Sequence, residues 1–230
     1  MVTFEHVTKE FNGGTKAVND LNLEIEKGQF AVLIGPSGCG KTTTLKMVNR
    51  LVQPTSGEIY IEGKKTSKLN LVEMRRNIGY VIQNIGLLPH LTVGGNISLV
   101  PELKKWPRKK REERVDELLN MVGMDPAVYR RRFPAQLSGG QQQRIGVLRA
   151  LAANPDLILM DEPFGALDPL TREQLQLELK RLQERLKKTI IFVTHDMNEA
   201  LLLGDRIILM KDGVVVQDDT PDGILRNPAN

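Results

Sequence analysis

An unbroken apolar run, Phe30-Ala31-Val32-Leu33-Ile34, stops at Gly35 and opens into Gly35-Pro36-Ser37-Gly38-Cys39-Gly40-Lys41-Thr42. This pairing constrains the fold more than any other feature of the chain. A run without polar alternation suits a strand covered on both faces, and such strands belong to parallel sheets flanked by helices. The loop after it fits G-x-x-x-x-G-K-[ST] at every required position. Glycines let backbone N–H groups converge on phosphate oxygens, and a helix starting at the end of the loop adds positive potential. The sequence predicts that helix over Thr43 to Arg50. Lys41 is then placed to neutralise β- and γ-phosphates and the Thr42 hydroxyl to ligate Mg²⁺, with Thr43 beside them. Cys39 is expected to contribute only its N–H.

Other segments agree with an alternating α/β chain. Leu157-Ile158-Leu159-Met160 and Ile190-Ile191-Phe192-Val193 are further buried strands, and a strand is also expected over Ile78–Ile82. Arg206 to Met210 and Val214 to Gln217 flank Lys211-Asp212-Gly213, a hairpin signal. Leu21, Leu23 and Ile25 alternate with Asn22 and Glu24, the mark of a half-buried strand. The first ~30 residues and 58–63 are therefore expected to form an antiparallel side sheet. Val115, Leu118, Leu119 and Val122 share a helix face that Gly123 can stop, and Leu175, Leu179, Leu182 and Leu186 share another. Strand signals vanish between Gln83 and Asn154, which predicts a helical insertion over 84–154 in a core made of 1–83 and 155–230.

Composition narrows the setting. The chain has 230 residues, 40% of them hydrophobic, and carries one cysteine and a net charge of +4. The single cysteine excludes an intramolecular disulfide. The charge is too small to argue for nucleic acid by itself. No apolar run approaches the ~18 residues a membrane helix needs, and Met1-Val2-Thr3-Phe4-Glu5 is not the start of a secretory signal. A cytoplasmic chain is expected, with any membrane span supplied by another protein.

Two more constellations reach the same sheet edge. Asp161 and Glu162 end the strand at Leu157, where carboxyl ends of strands face ligands. Asp161 suits a Mg²⁺ contact, and Glu162 can polarise the attacking water. His195 follows its own strand to that edge, within reach of a γ-phosphate or of the water.

Leu137-Ser138-Gly139-Gly140-Gln141 places small residues before a helix predicted from Gln141 to Ala153, which makes chemical sense as a second anion site. Together with the phosphate loop and the acidic pair, this segment closely resembles the signature of ABC transporter ATP-binding subunits, and the motif order matches along essentially the whole chain. The resemblance implies a P-loop NTPase (RecA-like) core with a mostly parallel sheet, an antiparallel β subdomain and a helical insertion. It implies ATP and Mg²⁺ as ligands, Phe11 as the aromatic that stacks on adenine, and Val18 near the nucleotide. It implies Gln83 as a contact to Mg²⁺ and to the water, Glu162 as the catalytic base and His195 as the switch histidine. Asp168 matches a loop that crosses a dimer interface. Leu137 to Gln141 are then expected to contact ATP held by a second copy, so that two chains sandwich two nucleotides head to tail.

Asn84-Ile85-Gly86-Leu87-Leu88-Pro89-His90-Leu91-Thr92-Val93 follows Gln83. By resemblance a permease subunit docks near Gln83–Val93, with Ile85, Leu87, Leu88 and Leu91 lining an apolar groove. Val93-Gly94-Gly95-Asn96 departs from the commoner V-x-E-N-I wording. Gly86-Leu87-Leu88-Pro89-His90, Asp161 to Asp168 and Glu199 to Arg206 look like importers of glycine betaine, carnitine or choline. The resemblance thus implies a peripheral protein on the inner face of the membrane, with a solute-binding subunit acting indirectly. Importers of amino acids or other small solutes share much of the wording. A soluble ABC ATPase acting on nucleic acid is the other alternative. The basic stretch Lys104 to Arg111 would suit it, but Glu112, Glu113, Asp116 and Glu117 follow at once and no nucleic-acid partner is expected. Many osmoprotectant ATPases continue into paired regulatory CBS domains. The sequence stops at Asn230, so the protein either lacks that sensor or is represented by a truncated piece.

Overall fold

The computed structural model describes residues 1–11, 13–83, 86–165 and 167–228. Two strands open the chain, β1 (Val2–Glu10) and β2 (Lys16–Ile25), followed by β3 (Phe30–Ile34), α1 (Lys41–Val48), β4 (Ser56–Ile61) and β5 (Lys64–Lys65). Next come α2 (Leu71–Arg76), β6 (Ile78–Val81), α3 (Val93–Leu103), α4 (Arg108–Met121), α5 (Pro126–Tyr129) and α6 (Gly139–Leu151). The chain continues through β7 (Leu157–Asp161), α7 (Pro169–Leu186), β8 (Thr189–Thr194), α8 (Met197–Leu203), β9 (Arg206–Lys211), β10 (Val214–Asp219) and α9 (Pro221–Arg226).

The strands sort into two sheets by their apolar pattern. β2 buries Val18, Leu21, Leu23 and Ile25 and exposes Asn22 and Glu24, so it lies in a one-sided antiparallel sheet of order β2-β1-β4-β5. β3, β7 and β8 are buried at every residue and form the middle of a six-stranded sheet, β10-β9-β3-β8-β7-β6. All its pairs are parallel except the β9–β10 hairpin. Alternate residues of β3 serve two cores. Phe30, Val32 and Ile34 join the cluster built from α3, α4, α6 and α7. Ala31 and Leu33 join the cluster shared with α1 and the antiparallel sheet.

Several predicted bounds move. The helix after the loop runs over Lys41–Val48, not Thr43 to Arg50, because Gly40 is its N-cap and Asn49 its C-cap. The helix after the signature starts at Gly139, two residues before the expected Gln141, because the Ser138 side chain caps it, and it ends at Leu151. β6 ends at Val81, and β10 extends to Asp219 through pairing with β9. Among the described residues of 84–154 there is no strand. No helix of the described residues is long and apolar enough to cross a membrane.

Candidate active site

The phosphate loop is clamped from two sides. Gly35 has φ +151°, and a Cβ there would lie 2.1 Å from the Met210 carbonyl oxygen on β9. Gly40 has φ +104°, and a Cβ there would lie 2.2 Å from the Ala17 carbonyl oxygen on β2. Only glycine fits either place. Val18 is fully buried and sits 3.2 Å from that same Gly40 position, so it forms the floor of the loop, not an exposed surface. The Cys39 N–H donates to the Pro36 carbonyl at 3.3 Å, closing a turn within the loop. α1 begins without any side-chain cap, and no acidic residue lies in its first turn. Lys41 is 5% exposed and folds its ammonium over the loop, with Nζ 2.7 Å from the Gly35 carbonyl and 2.9 Å from that of Pro36.

Parallel pairing of β3 with β8 and of β8 with β7 aligns their carboxyl ends. The side chains beyond those ends therefore converge. Thr42 Oγ1 donates to Asp161 Oδ1 at 2.7 Å. Burial pushes the Asp161 carboxyl above its ordinary value, opposed by the Thr42 hydrogen bond and by Lys46 and Lys41. Glu162 follows with φ +42°, a conformation that costs a non-glycine residue about 1–2 kcal/mol. Its N–H donates to the Val193 carbonyl at 3.0 Å, which ties the strained residue to β8. Glu162 Oε2 then meets two partners: Gln83 Nε2 donates to it at 3.2 Å, and His195 Nδ1 lies 3.3 Å away. Gln83, Glu162 and His195 thus form one cluster beside the Thr42–Asp161 pair.

The signature residues are organised separately. Ser138 caps α6, its Oγ accepting from the Gln141 N–H at 3.3 Å while its own N–H donates to Gln141 Oε1 at 3.0 Å. Leu137 is buried, whereas Ser138 and Gly139 are exposed. Gly140 faces α7, where a Cβ would lie 2.5 Å from Thr171 Cγ2. Asp168 caps α7 by accepting from the Thr171 N–H at 3.0 Å, and that bond holds its carboxyl below the usual range. Among the described residues, the side-chain hydrogen bonds of Ser138 and Gln141 run to Tyr129 and to one another, none to the phosphate loop. Phe11 is 45% exposed, its ring 5.0 Å from Lys9 Nζ, so it stands outside both cores.

Downstream of Gln83, Leu87 packs against the core and Leu88 and Leu91 are half-buried; Asn84 and Ile85 lie outside the described residues. Asn96, one turn into α3, is fully buried and bonds to Leu88, Leu91 and Thr92. The basic stretch is locally partnered: Arg108 pairs with Glu112 at 3.0 Å, Arg111 with Glu102 at 2.6 Å, and Lys110 lies 4.2 Å from the Trp106 ring. Sequence reasoning passed over Thr194 and Glu199, which flank His195 in the chain and are both buried. A glutamate just inside a helix start ordinarily faces solvent, so its sequence carries no signal of burial.

Residues 18–165 match the model of the ABC transporter family, a span that takes in the loop, the signature and the acidic pair. The chain belongs to the ABC transporter family. As an ABC cassette it is 64% identical, over its whole length, to the carnitine transport ATP-binding protein OpuCA of Listeria monocytogenes. It is 63% identical, again over its whole length, to the glycine betaine/carnitine/choline transport ATP-binding protein OpuCA of Bacillus subtilis. The cassette spans 58% and 60% of the lengths of these two relatives. Among solved structures it resembles the ATP-binding cassette MJ0796 in a dimeric, post-hydrolysis state bound to ADP and Pi. The TM-score is 0.84 at 40% identity, over 96% of this chain and 99% of that one.

Proposed function

We propose that this chain is the nucleotide-binding subunit of an ABC importer, hydrolysing ATP at a head-to-tail dimer interface to drive solute uptake. The observation that carries the reading is the position of Glu162, with one carboxyl oxygen between Gln83 and His195 and the Thr42–Asp161 pair beside it. Lys41 neutralises β- and γ-phosphate oxygens over the glycine-built loop, and Phe11 offers its exposed face to the adenine. Glu162 accepts the proton of the attacking water. His195, oriented through Nδ1, leaves Nε2 for the γ-phosphate.

The residues present fit Mg²⁺. Thr42, Asp161 and the amide oxygen of Gln83 make a small, hard oxygen donor set, suited to an ion that keeps waters and takes its remaining ligands from phosphates. When bound, Mg²⁺ would supply neutralisation of phosphate charge. Ser138 and Gly139, exposed at the start of α6 and unlinked to their own chain's loop, serve the ATP of a second copy. Asp168 lies at the same interface, next to Gly140 through Thr171. The likeness to a dimeric cassette supports this arrangement.

The names of the relatives support a quaternary-ammonium osmoprotectant as the solute. The half-buried apolar side chains Leu87, Leu88 and Leu91 support the docking of a permease near Gln83–Val93, with the chain on the cytoplasmic face of the membrane. Glu162→Gln tests the hydrolytic reading. Turnover is expected to fall by about 10²–10⁴, with ATP binding preserved and an ATP-bound dimer accumulating on size exclusion. Unchanged phosphate release would remove Glu162 from the base role. Reconstitution with permease and binding subunits tests the solute; uptake of an amino acid in place of betaine, carnitine or choline would overturn that assignment.

A further inference from the structure

His195 is held in an unusual way for a residue that must meet a phosphate accurately. Its side chain is 62% exposed, so packing does not fix the ring. Its orientation depends on the bond to Glu162 and on the backbone that carries it. That backbone is pinned on both sides by one buried polar chain. Asp196 N–H donates to Thr194 Oγ1 at 3.0 Å, and the Thr194 hydroxyl donates onward to Glu199 Oε2 at 2.5 Å. Gln176 Nε2 donates to the other oxygen, Glu199 Oε1, at 3.0 Å. Thr194, Glu199 and Gln176 are 2%, 5% and 8% exposed. An apolar side chain would fill this space without requiring aligned donors, so the arrangement is costly unless every member is satisfied.

The chain also reaches the interface helix. Arg172, Gln176 and Lys180 follow one another at four-residue spacing, on one face of α7. Arg172 Nη1 lies 3.9 Å from Asp196 Oδ2, and Lys180 Nζ donates to the Leu202 carbonyl at 2.7 Å. The N-terminal cap of this same helix is Asp168.

We infer that Glu199 is a positioning residue for His195: by gathering Thr194 and Gln176 it fixes the strand end that presents the imidazole to Glu162 and ties it to the helix capped by Asp168. This rests on the hydrolytic reading above. Misplacing a reacting group by about 1 Å can cost about a hundredfold in rate, so a partial loosening has a measurable effect without loss of the fold.

The test is Mg-ATP hydrolysis by the full chain, with melting temperature recorded for each variant. Thr194→Val and Glu199→Gln are expected to lower kcat about tenfold or more, with KM for ATP within about twofold. Thr194→Ser, which keeps the hydroxyl, is expected to rescue kcat. Lys180→Met, which loosens the α7–α8 contact away from His195, is expected to lower the melting temperature and leave kcat unchanged. In a His195→Ala background the Thr194 and Glu199 changes should add less than about twofold, since they act through the imidazole. Additive losses there, or a kcat loss with Lys180→Met equal to that of Thr194→Val, would overturn the inference. If Thr194→Val does not fold, Gln176→Leu carries the same comparison. A second readout separates failure of this inference from failure of the hydrolytic reading. The His195 ring NMR signals should respond to Glu162→Gln in the wild type and not in Glu199→Gln, whether or not the chain turns over ATP. An equal response in both refutes the positioning role.

Discussion

Asn96 gathers the backbone of Leu88 to Thr92 around a single side chain. It is 0% exposed, and its side chain works in both directions. Oδ1 accepts from the Leu88 N–H at 2.8 Å, while Nδ2 donates to the carbonyls of Leu88 at 3.1 Å, Leu91 at 3.1 Å and Thr92 at 3.0 Å. Two amide protons shared among three carbonyls, plus the Leu88 N–H, amount to about three full hydrogen bonds at roughly 1 kcal/mol net each. Asn96→Ala is therefore expected to cost about 3 kcal/mol. For a chain of this size that is a fall of about 6–12 °C in melting temperature. Asn96→Asp keeps the acceptor for Leu88 but turns a carboxylate toward three carbonyls, so it should melt no higher than the alanine variant at neutral pH. It should recover partly in acid, where a protonated carboxyl regains one donor. Calorimetric melts of the three proteins, with ATP binding measured in parallel, are the assay. Nucleotide affinity of the isolated chain is expected to stay near wild type, and stimulation of hydrolysis by the permease to be lost. A loss below about 1 kcal/mol for Asn96→Ala would show that the loop holds its shape without this side chain. An aspartate variant as stable as the wild type would refute the assignment of the three donor contacts.

Ser138→Arg is expected to block hydrolysis while leaving ATP binding to a single chain intact, measured by phosphate release beside calorimetric titration; normal turnover would argue against a shared site. Phe11→Ala should weaken ATP binding by about 1–3 kcal/mol, the worth of one base–aromatic stack, and barely move the melting temperature, since the ring is 45% exposed. An unchanged dissociation constant would remove Phe11 from the adenine. Glu178 pairs with Arg144 at 2.8 Å, joining α7 to the signature helix, yet burial outweighs that pull and raises its carboxyl above the ordinary 4.5. A group raised on folding contributes stability that is fully present below its unfolded value and lost as pH rises through its folded value. The melting-temperature difference, Glu178→Gln minus wild type, should therefore grow more positive as pH rises through that window. A flat difference would contradict the burial argument.

Much of the architecture is legible because its causes are local. The uniform apolar runs at Phe30, Leu157 and Ile190 differ from the alternation at Leu21, Leu23 and Ile25, and the two patterns separate the buried parallel sheet from the one-sided antiparallel one. Lys211-Asp212-Gly213 announces the β9–β10 hairpin because Asp212 and Gly213 adopt positive φ. Helix starts are less legible: with Ser138 as its cap, α6 starts at Gly139, two residues before the predicted start, because the capping side chain is itself part of the signature. Val18 is the instructive case at the site. Its resemblance-derived place near the nucleotide gave no sign that it would lie wholly beneath the loop, which depends on how β2 runs under Gly40.

The division follows sequence distance. The order of the motifs, the glycine loop and its following helix are determined within a few residues, where φ preferences and nearby N–H groups decide the outcome, and the sequence by itself settles them. The pairing of Thr42 with Asp161, 119 residues apart, and of Gln83 with Glu162, 79 residues apart, is not written in either neighbourhood. It arises because the parallel order β3-β8-β7-β6 delivers four carboxyl ends to one edge. The same holds for Glu199, an ordinary helix-start glutamate in the sequence that burial between α7 and β8 turns into the acceptor on which the backbone around His195 is hung.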